Sequence, residues 1–193
     1  MISFLEGKIE HRGDKYVILN VGGIGYKVTV SPKLLNILTK STPVVKLHIH
    51  SQLNMREGTF DMYGFQTKED LELFNLVTSV NGIGPKSAIG ILSTIEPKHL
   101  KAAIINDDAD YLKKVSGLGP KTAQRLILEL KNKVDYLDIG DVGDIDLGQE
   151  GQATEALLAL GYSPSQAKDA LKEAKGDTLE KRVREALRLL GKK

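Results

Sequence analysis

Cysteine and tryptophan are absent from the 193 residues of this sequence, and the other aromatic side chains are few, with six Tyr and four Phe. Without cysteine the chain can form no disulfide bond, and thiolate catalysis and thiolate metal ligation are excluded. No apolar run approaches the roughly 20 residues that a membrane-spanning helix needs. The N-terminus also lacks the basic segment followed by an apolar segment that marks a secretory signal. These absences predict a cytoplasmic protein that does not enter a membrane.

The charge of the chain is nearly balanced overall but uneven along its length. The formal net charge is +2, with 27 Lys and Arg against 25 Asp and Glu. Residues 137–152 carry acidic and no basic side chains, whereas the segments on either side are weakly basic. A weakly basic balance permits binding to nucleic acid without requiring it. Any phosphate binding must therefore depend on individually placed groups rather than on bulk charge.

Short strands separated by turns are predicted for residues 1–64. Runs rich in β-branched and aromatic residues occur at 16–21, 26–30, 44–50 and 60–63. Strands of this length and spacing favour a small closed barrel, because closure removes the exposed edges that isolated hairpins leave. A short helix is predicted among the strands, over residues 32–39.

Helical periodicity replaces strand periodicity from Lys68 to about Val134, with breaks at Gly-containing turns. Gly and Asp then alternate through much of the next segment, a composition that repels itself and predicts a flexible acidic tether. The C-terminal part predicts a compact three-helix unit, with Ser163 and Thr178 as helix caps. The predicted plan is a barrel, a helical domain, a tether and a small helical domain, over residues 1–64, 65–136, 137–152 and 153–193.

An internal repeat in the central part carries the strongest signal in the sequence. Residues 77–88 (VTSVNGIGPKSA) match residues 112–123 (LKKVSGLGPKTA), each with the order helix, Gly-hydrophobe-Gly hairpin and helix. The two glycines let the backbone reverse and approach a ligand closely, and the Pro that follows suits the first turn of a helix. The free N–H groups of that helix start, with a Lys and a hydroxyl beside them, form a ready anion site. Such contacts go to the nucleic-acid backbone, so they predict binding without base specificity.

The repeated segment resembles the helix-hairpin-helix motif of DNA-binding proteins. The order of barrel, paired hairpins, acidic tether and three-helix end, with Asp61-Met62-Tyr63-Gly64-Phe65 at the end of the barrel, resembles the bacterial RuvA family over essentially the whole chain. The resemblance implies a multidomain α+β fold, with an N-terminal OB-like β-barrel, a central all-α tandem helix-hairpin-helix domain and a C-terminal three-helix UBA-like domain. It also implies a non-enzymatic bacterial protein that uses no cofactor and no metal and holds a four-way (Holliday) junction open for branch migration in recombination and repair.

The same resemblance implies protein partners. RuvA-like proteins form a homotetramer, sometimes doubled to an octamer, and recruit a RuvB-type AAA+ ATPase that pulls DNA through the complex. A RuvC-type resolvase is a further candidate partner. The C-terminal domain is expected to dock the motor through apolar side chains, for which the candidates are Leu171, Val183, Leu187 and Leu190.

Site residues follow from matching the family's motifs to this sequence. The residues of the first phosphate grip are Gly82, Gly84, Lys86 and Ser87. The residues of the second are Gly117, Gly119, Lys121 and Thr122, with Arg125 expected on the same face one helical turn beyond Lys121. An acidic pin, usually two adjacent acids after an Arg, matches Arg56-Glu57-Gly58. Because Gly58 departs from the pattern and leaves one acid, the pin is expected to repel phosphates more weakly.

A helix-hairpin-helix DNA glycosylase is the alternative function. In that class a hairpin Lys and an Asp further along the chain carry the chemistry, and Lys121 and Asp138 have a similar spacing. Asp138, however, begins the acidic tether, where nothing would bury it or tune its pKa. No helical lobe precedes the hairpins to form a pocket for a flipped base. The resemblance therefore favours a junction-binding protein over this enzyme.

Three other interpretations have less support. Hairpins that serve only to pack helices would not need matched Lys and hydroxyl residues in both copies. The Gly-x-Gly-Pro-Lys-Ser string lacks the Gly-Lys pair of an ATP-binding loop. His48 and His50 share one face of a strand, but without a third ligand nearby they indicate a surface or barrel-lining pair rather than a metal site.

Overall fold

The computed structural model describes residues 1–38, 44–55, 58–134, 147–176 and 178–191. The chain divides into two compact units, Met1–Ser79 with Gly84–Ile89, and Val80–Ile83 with Gly90–Lys193. The described strands are β1 (Phe4–Arg12), β2 (Tyr16–Val21), β3 (Ile24–Val30), β4 (Val45–Asn54) and β5 (Thr59–Phe65). The described helices are α1 (Pro32–Ile37), α2 (Lys68–Thr78), α3 (Pro85–Thr94), α4 (Pro97–Ile105), α5 (Ala109–Ser116), α6 (Pro120–Leu130), α7 (Leu147–Ala159), α8 (Pro164–Glu173) and α9 (Leu179–Leu190).

The five strands of the first unit close into a barrel in the order β1-β2-β3-β5-β4. Neighbouring strands are antiparallel except β3 and β5, which run parallel where Thr29 lies opposite Tyr63. Alternate side chains point inward, and those with no exposed surface are Val17, Leu19, Val28 and Leu47. The closed barrel predicted from the strand spacing is confirmed.

Two helices of this unit pack against the barrel. Helix α1 begins after Ser31, whose hydroxyl accepts a hydrogen bond from the Leu34 N–H at 3.2 Å. The helix predicted over 32–39 ends at Ile37. Helix α2 places Phe74 against strand β5, with 4.7 Å between the ring centroids of Phe65 and Phe74.

The helices of the central part form the core of the second unit. Their apolar residues recur at helical spacing, as the sequence pattern predicts. The large side chains that are almost fully buried here are Ile91, Ile95, Leu100, Ile104, Leu112, Leu126 and Leu130. Helices α4, α5 and α6 pack against one another within this unit.

Helices α7, α8 and α9 form the predicted three-helix domain around a core of small and aliphatic residues. Both predicted caps are present. Ser163 and Gln166 form a reciprocal capping box, and the Thr178 hydroxyl accepts from the Lys181 N–H. In the described part of the chain, no helix combines the length and the apolarity needed to cross a membrane.

The predicted extent of the acidic tether is wrong at its C-terminal end. Residues 147–152 were expected to belong to the tether, but they form the first turns of α7. Leu147, Glu150 and Gly151 are buried, so tertiary packing overrides the low helix propensity of the glycines. The remaining predicted tether residues up to 146 lie outside the described residues.

Candidate nucleic-acid interface

The second hairpin joins α5 to α6 through residues 117–119 alone. Gly117 ends α5 in the left-handed region, at φ 68° and ψ 16°, and its N–H donates to the Lys113 carbonyl at 3.1 Å. This conformation favours glycine because it has no Cβ. Helix α6 then begins at Pro120, and no side chain caps its N-terminus at Gly119. At this helix start Pro120 has no N–H, and the N–H groups of Thr122 and Ala123 donate to the Gly119 carbonyl, each at 3.0 Å. The Lys121 N–H remains in this turn beside the side chains of Lys121 and Thr122, which suits an anion.

The first hairpin is longer than the second, although the two sequences match. Helix α2 ends at Thr78 and α3 begins at Pro85, so residues 79–84 lie between them. Gly82 reverses the chain at φ 90°. Ile83 is only 4 % exposed, and its N–H donates to the Val80 carbonyl at 3.0 Å. The apolar residue between the glycines thus anchors this hairpin.

Gly84 and Gly119 lie in open space. A Cβ built on either residue would meet no other atom within 4 Å. Neither residue has a positive φ. Internal packing and backbone strain therefore give no reason for glycine at these two positions, whereas the close approach of an external ligand to the backbone would.

The cationic side chains beside these glycines are available for a ligand. Lys86 and Lys121 are both exposed, as is Ser87, and Thr122 is partly exposed. Within the part of the chain that the structure describes, the amino groups of Lys86 and Lys121 have no hydrogen-bond or ion-pair partner. Each predicted grip thus combines a reversed backbone, an open glycine and an unpaired Lys.

The ninth predicted site residue, Arg125, contacts the first hairpin. Its Nη1 donates to the Asn81 carbonyl at 3.2 Å, and the Asn81 N–H donates to Glu129 Oε2 at 3.4 Å. The sequence did not indicate Glu129, since nothing in the linear pattern brings α6 to residue 81.

The predicted pin, the alternative catalytic Asp and the His pair contribute no site within the described residues. Arg56, Glu57 and Asp138 lie outside the described residues, so the acidic pin stays a prediction. His50 Nδ1 lies 2.8 Å from Asn75 Oδ1, which gives this ring a partner other than a metal. The ranges that the structure describes contain no group of three His, Asp or Glu residues that could hold a metal ion.

The predicted motor-docking residues need one correction. Leu171 has no exposed surface and lies in the core of the three-helix domain, so it is unavailable to a partner while the domain is folded. Val183, Leu187 and Leu190 are partly buried and pack against the same core. The large apolar side chain that this domain exposes most is Leu160, at 61 %. Its position in the Leu160-Gly161-Tyr162 turn was the available sequence signal.

The three-helix domain contacts the C-terminal end of α3 within the second unit. Lys168 Nζ donates to the carbonyls of Leu92 at 3.2 Å and Ile95 at 2.9 Å, at the C-terminal end of α3. A cation is favourable there because the helix dipole and the free carbonyls are negative. Lys172 also pairs with Glu96 at 3.0 Å. These contacts were not predicted, because the sequence gives no sign that side chains of α8 reach the end of α3.

A polar cavity of about 210 Å³ lies beside these contacts, and its lining includes His99, Tyr111, Glu150 and Arg182. Arg182 Nη2 lies 2.6 Å from Glu150 Oε2. Burial nevertheless raises the pKa of Glu150, with the charge of Arg182 opposing the rise. Burial also lowers the pKa of His99 to about 4, and Lys98 adds to this effect. His99 is therefore held neutral in the folded chain at neutral pH.

The buried His99 predicts a loss of stability in mild acid. The unfolded chain takes up a proton at this residue near pH 6.5, whereas the folded chain does so only near pH 4. The unfolded state thus binds more protons between these values, and the free energy of unfolding falls as the pH falls. Between pH 7 and pH 5 we expect a loss of about 1–2 kcal/mol, discounted for the partly exposed ring.

Denaturant unfolding of the native chain and of His99→Gln at both pH values measures this effect. The variant should lose less stability than the native chain, since Glu150 and the other acidic groups are common to both. An identical pH dependence in the two proteins would show that His99 titrates normally.

A closed barrel, two helix-hairpin-helix units and a small helical domain define a multidomain protein of the tandem helix-hairpin-helix class. Family models match the same three parts: RuvA N terminal domain over residues 1–64, SAM-like Helix-hairpin-helix tandem over residues 74–132, and RuvA, C-terminal domain over residues 148–191. The chain belongs to the RuvA family.

Whole-chain relatives agree with the domain matches. A protein of Thermoanaerobacter sp. (strain X514) is 41 % identical over 192 residues, which is 100 % of both chains. One from Geotalea daltonii is 37 % identical over 201 residues, again 100 % of both chains, and one from Acetivibrio thermocellus is 36 % identical over 180 residues, 89 % of this chain and 88 % of the other. All three are named Holliday junction branch migration complex subunit RuvA.

Proposed function

We propose that this protein is the DNA-binding subunit of a branch migration complex, and that it binds four-way (Holliday) junction DNA. The observation that carries the proposal is the pair of hairpins with an open glycine and an unpaired Lys in each. Membership of the RuvA family supports the same function, since relatives that match along the whole chain are named for it.

The hairpins act on the DNA backbone. In the first grip the backbone at Gly82 and Gly84 reverses close to the phosphates, and Lys86 and Ser87 supply a charge and a hydroxyl. In the second grip Gly117, Gly119, Lys121 and Thr122 have the same roles. Because these contacts carry no base information, the protein recognises the geometry of the junction arms and not their sequence.

The protein works with partners and is not itself an enzyme in this proposal. It assembles as a homotetramer or octamer around the junction and recruits a RuvB-type AAA+ ATPase through its C-terminal domain. A RuvC-type resolvase is a further candidate partner. By its match to the family's motif, Glu57 with Arg56 is expected to serve as the acidic pin that repels phosphates at the crossover, and to repel them more weakly because Gly58 stands in place of the second acid.

A gel-shift titration tests the proposal. A labelled synthetic four-way junction and a linear duplex of the same length are titrated with the full chain in the presence of excess unlabelled duplex. We expect the junction complex to survive competition and the duplex complex to be lost. Equal affinity for the two DNAs would contradict the proposed function.

A denaturing gel of the same reactions tests the glycosylase alternative. Strands that stay intact after alkali treatment agree with a binding protein. A cut or abasic strand would instead favour a repair enzyme that uses Lys121.

A further inference from the structure

The two hairpins differ in how they are held, although their sequences match. Residues 117–119 close the second hairpin directly onto α5 through the Gly117 cap. The first hairpin consists of residues 79–84, because α2 ends at Thr78, whereas α5 continues to Ser116, which matches Asn81 in the repeat. A longer irregular segment costs more conformational entropy to hold in one shape. The first hairpin therefore needs additional contacts to stay in a single conformation.

Helix α6 supplies such contacts at Asn81. Arg125 Nη1 donates to the Asn81 carbonyl at 3.2 Å, and Glu129 Oε2 accepts from the Asn81 N–H at 3.4 Å. Arg125 and Glu129 are four residues apart, so they lie on one face of the helix. Arg125 Nη1 also lies 3.8 Å from the position of a Cβ built on Gly82. Both polar backbone groups of Asn81 are thus bound by the helix that follows the other hairpin.

The charge of Glu129 indicates a structural role. A carboxylate beside a phosphate-binding hairpin repels DNA. The negative charge of Glu129 by itself therefore weakens DNA binding. Its hydrogen bond also occupies the Asn81 N–H, which is then not a donor to phosphate. The contribution of Glu129 to DNA binding must therefore come through the hairpin that it holds.

We propose that Arg125 and Glu129 are positioning residues, which hold the first hairpin at Asn81 in its phosphate-binding conformation and couple it to the second hairpin unit. This role rests on the proposed function, because the two residues are expected to determine the affinity for four-way junction DNA. It assigns Arg125 to the hairpin backbone rather than to a phosphate.

Two substitutions of Glu129 in the full chain separate hydrogen bonding from charge. Glu129→Ala removes the acceptor and the charge, and we expect it to weaken binding to a four-way junction about three- to tenfold. Glu129→Gln keeps an acceptor for the Asn81 N–H and removes only the charge. We expect this variant to bind the junction at least as tightly as the native chain. Glu173→Ala, which removes an exposed carboxylate from α8, gives the effect of net charge alone.

The proposal is overturned if Glu129→Ala and Glu129→Gln both bind as tightly as Glu173→Ala, since the carboxylate would then act only by its charge. Amide hydrogen exchange gives a readout without DNA. Exchange at Ile83 should be faster in Glu129→Ala and unchanged in Glu129→Gln, with Gly117 unaffected in both.

A double variant of the grip lysines, Lys86→Ala with Lys121→Ala, is measured in parallel. If it also leaves junction affinity unchanged, the hairpins are not the DNA site and the proposed function fails. If it loses affinity while Glu129→Ala does not, the proposed function stands and only the positioning role fails.

Discussion

Replacing both Lys86 and Lys121 by Ala will lower the affinity for a four-way junction by at least about 100-fold. Each charge-assisted hydrogen bond to a phosphate contributes about 1.5–3 kcal/mol, and about 1.4 kcal/mol corresponds to a tenfold change in Kd. Both side chains are exposed and neither has a partner among the described residues, so their loss removes no contact within the protein. The free energy of unfolding should therefore change by less than about 0.5 kcal/mol.

The salt dependence of binding tests the mechanism behind this loss. Each phosphate contact that is removed should reduce the slope of log K against log salt by about 0.9. Lys8→Ala with Lys175→Ala is the matched control, because it removes two exposed lysines from β1 and from the segment after α8. If the control lowered affinity and slope as much as the grip variant, general charge and not the hairpins would bind the DNA.

The sequence predicts well those features that depend on residues close together along the chain. The glycines predict that the chain reverses in each hairpin, and Gly82 and Gly117 have the positive φ that such a reversal needs. The caps Ser163 and Thr178 follow from hydroxyls placed before helical runs. The barrel follows from strand spacing, although β1 was not singled out because its inward face contributes only Leu5 and Ile9 to the buried core.

The features that the sequence did not predict depend on contacts between distant residues. The start of α7 at Leu147 depends on burial of residues that look like part of a tether. The bonds of Arg125 and Glu129 to Asn81 span 44 and 48 residues, and those of Lys168 to the end of α3 span more than 70. Leu171 was predicted as a docking residue because, in a domain this small, periodicity alone does not separate a core leucine from a surface one.

A chain that ends at Val134 should keep junction binding and lose all stimulation of a RuvB-type ATPase. The grip residues and the contacts of Arg125 and Glu129 with Asn81 lie before this point, and the cut keeps Val134, which is buried at 1 % exposure. The truncation removes α7 to α9, which form their own core and include the candidate docking residues. We expect the junction Kd to change by no more than about threefold, since no grip residue is lost. The ATPase rate of the motor on junction DNA should fall to that of the motor alone.

Because Lys168 of α8 binds the end of α3, the truncation needs a second variant as a control. Truncation removes the Lys168 amino group from the end of α3 as well as the domain itself, so a loss of function could come from either change. Lys168→Met keeps the domain and removes the hydrogen bonds of the Lys168 amino group to the end of α3. Full motor stimulation by Lys168→Met, with none by the truncated chain, would assign motor recruitment to the domain. Equal losses of junction affinity in both proteins would contradict the division of roles, because the domain would then act by supporting the hairpins.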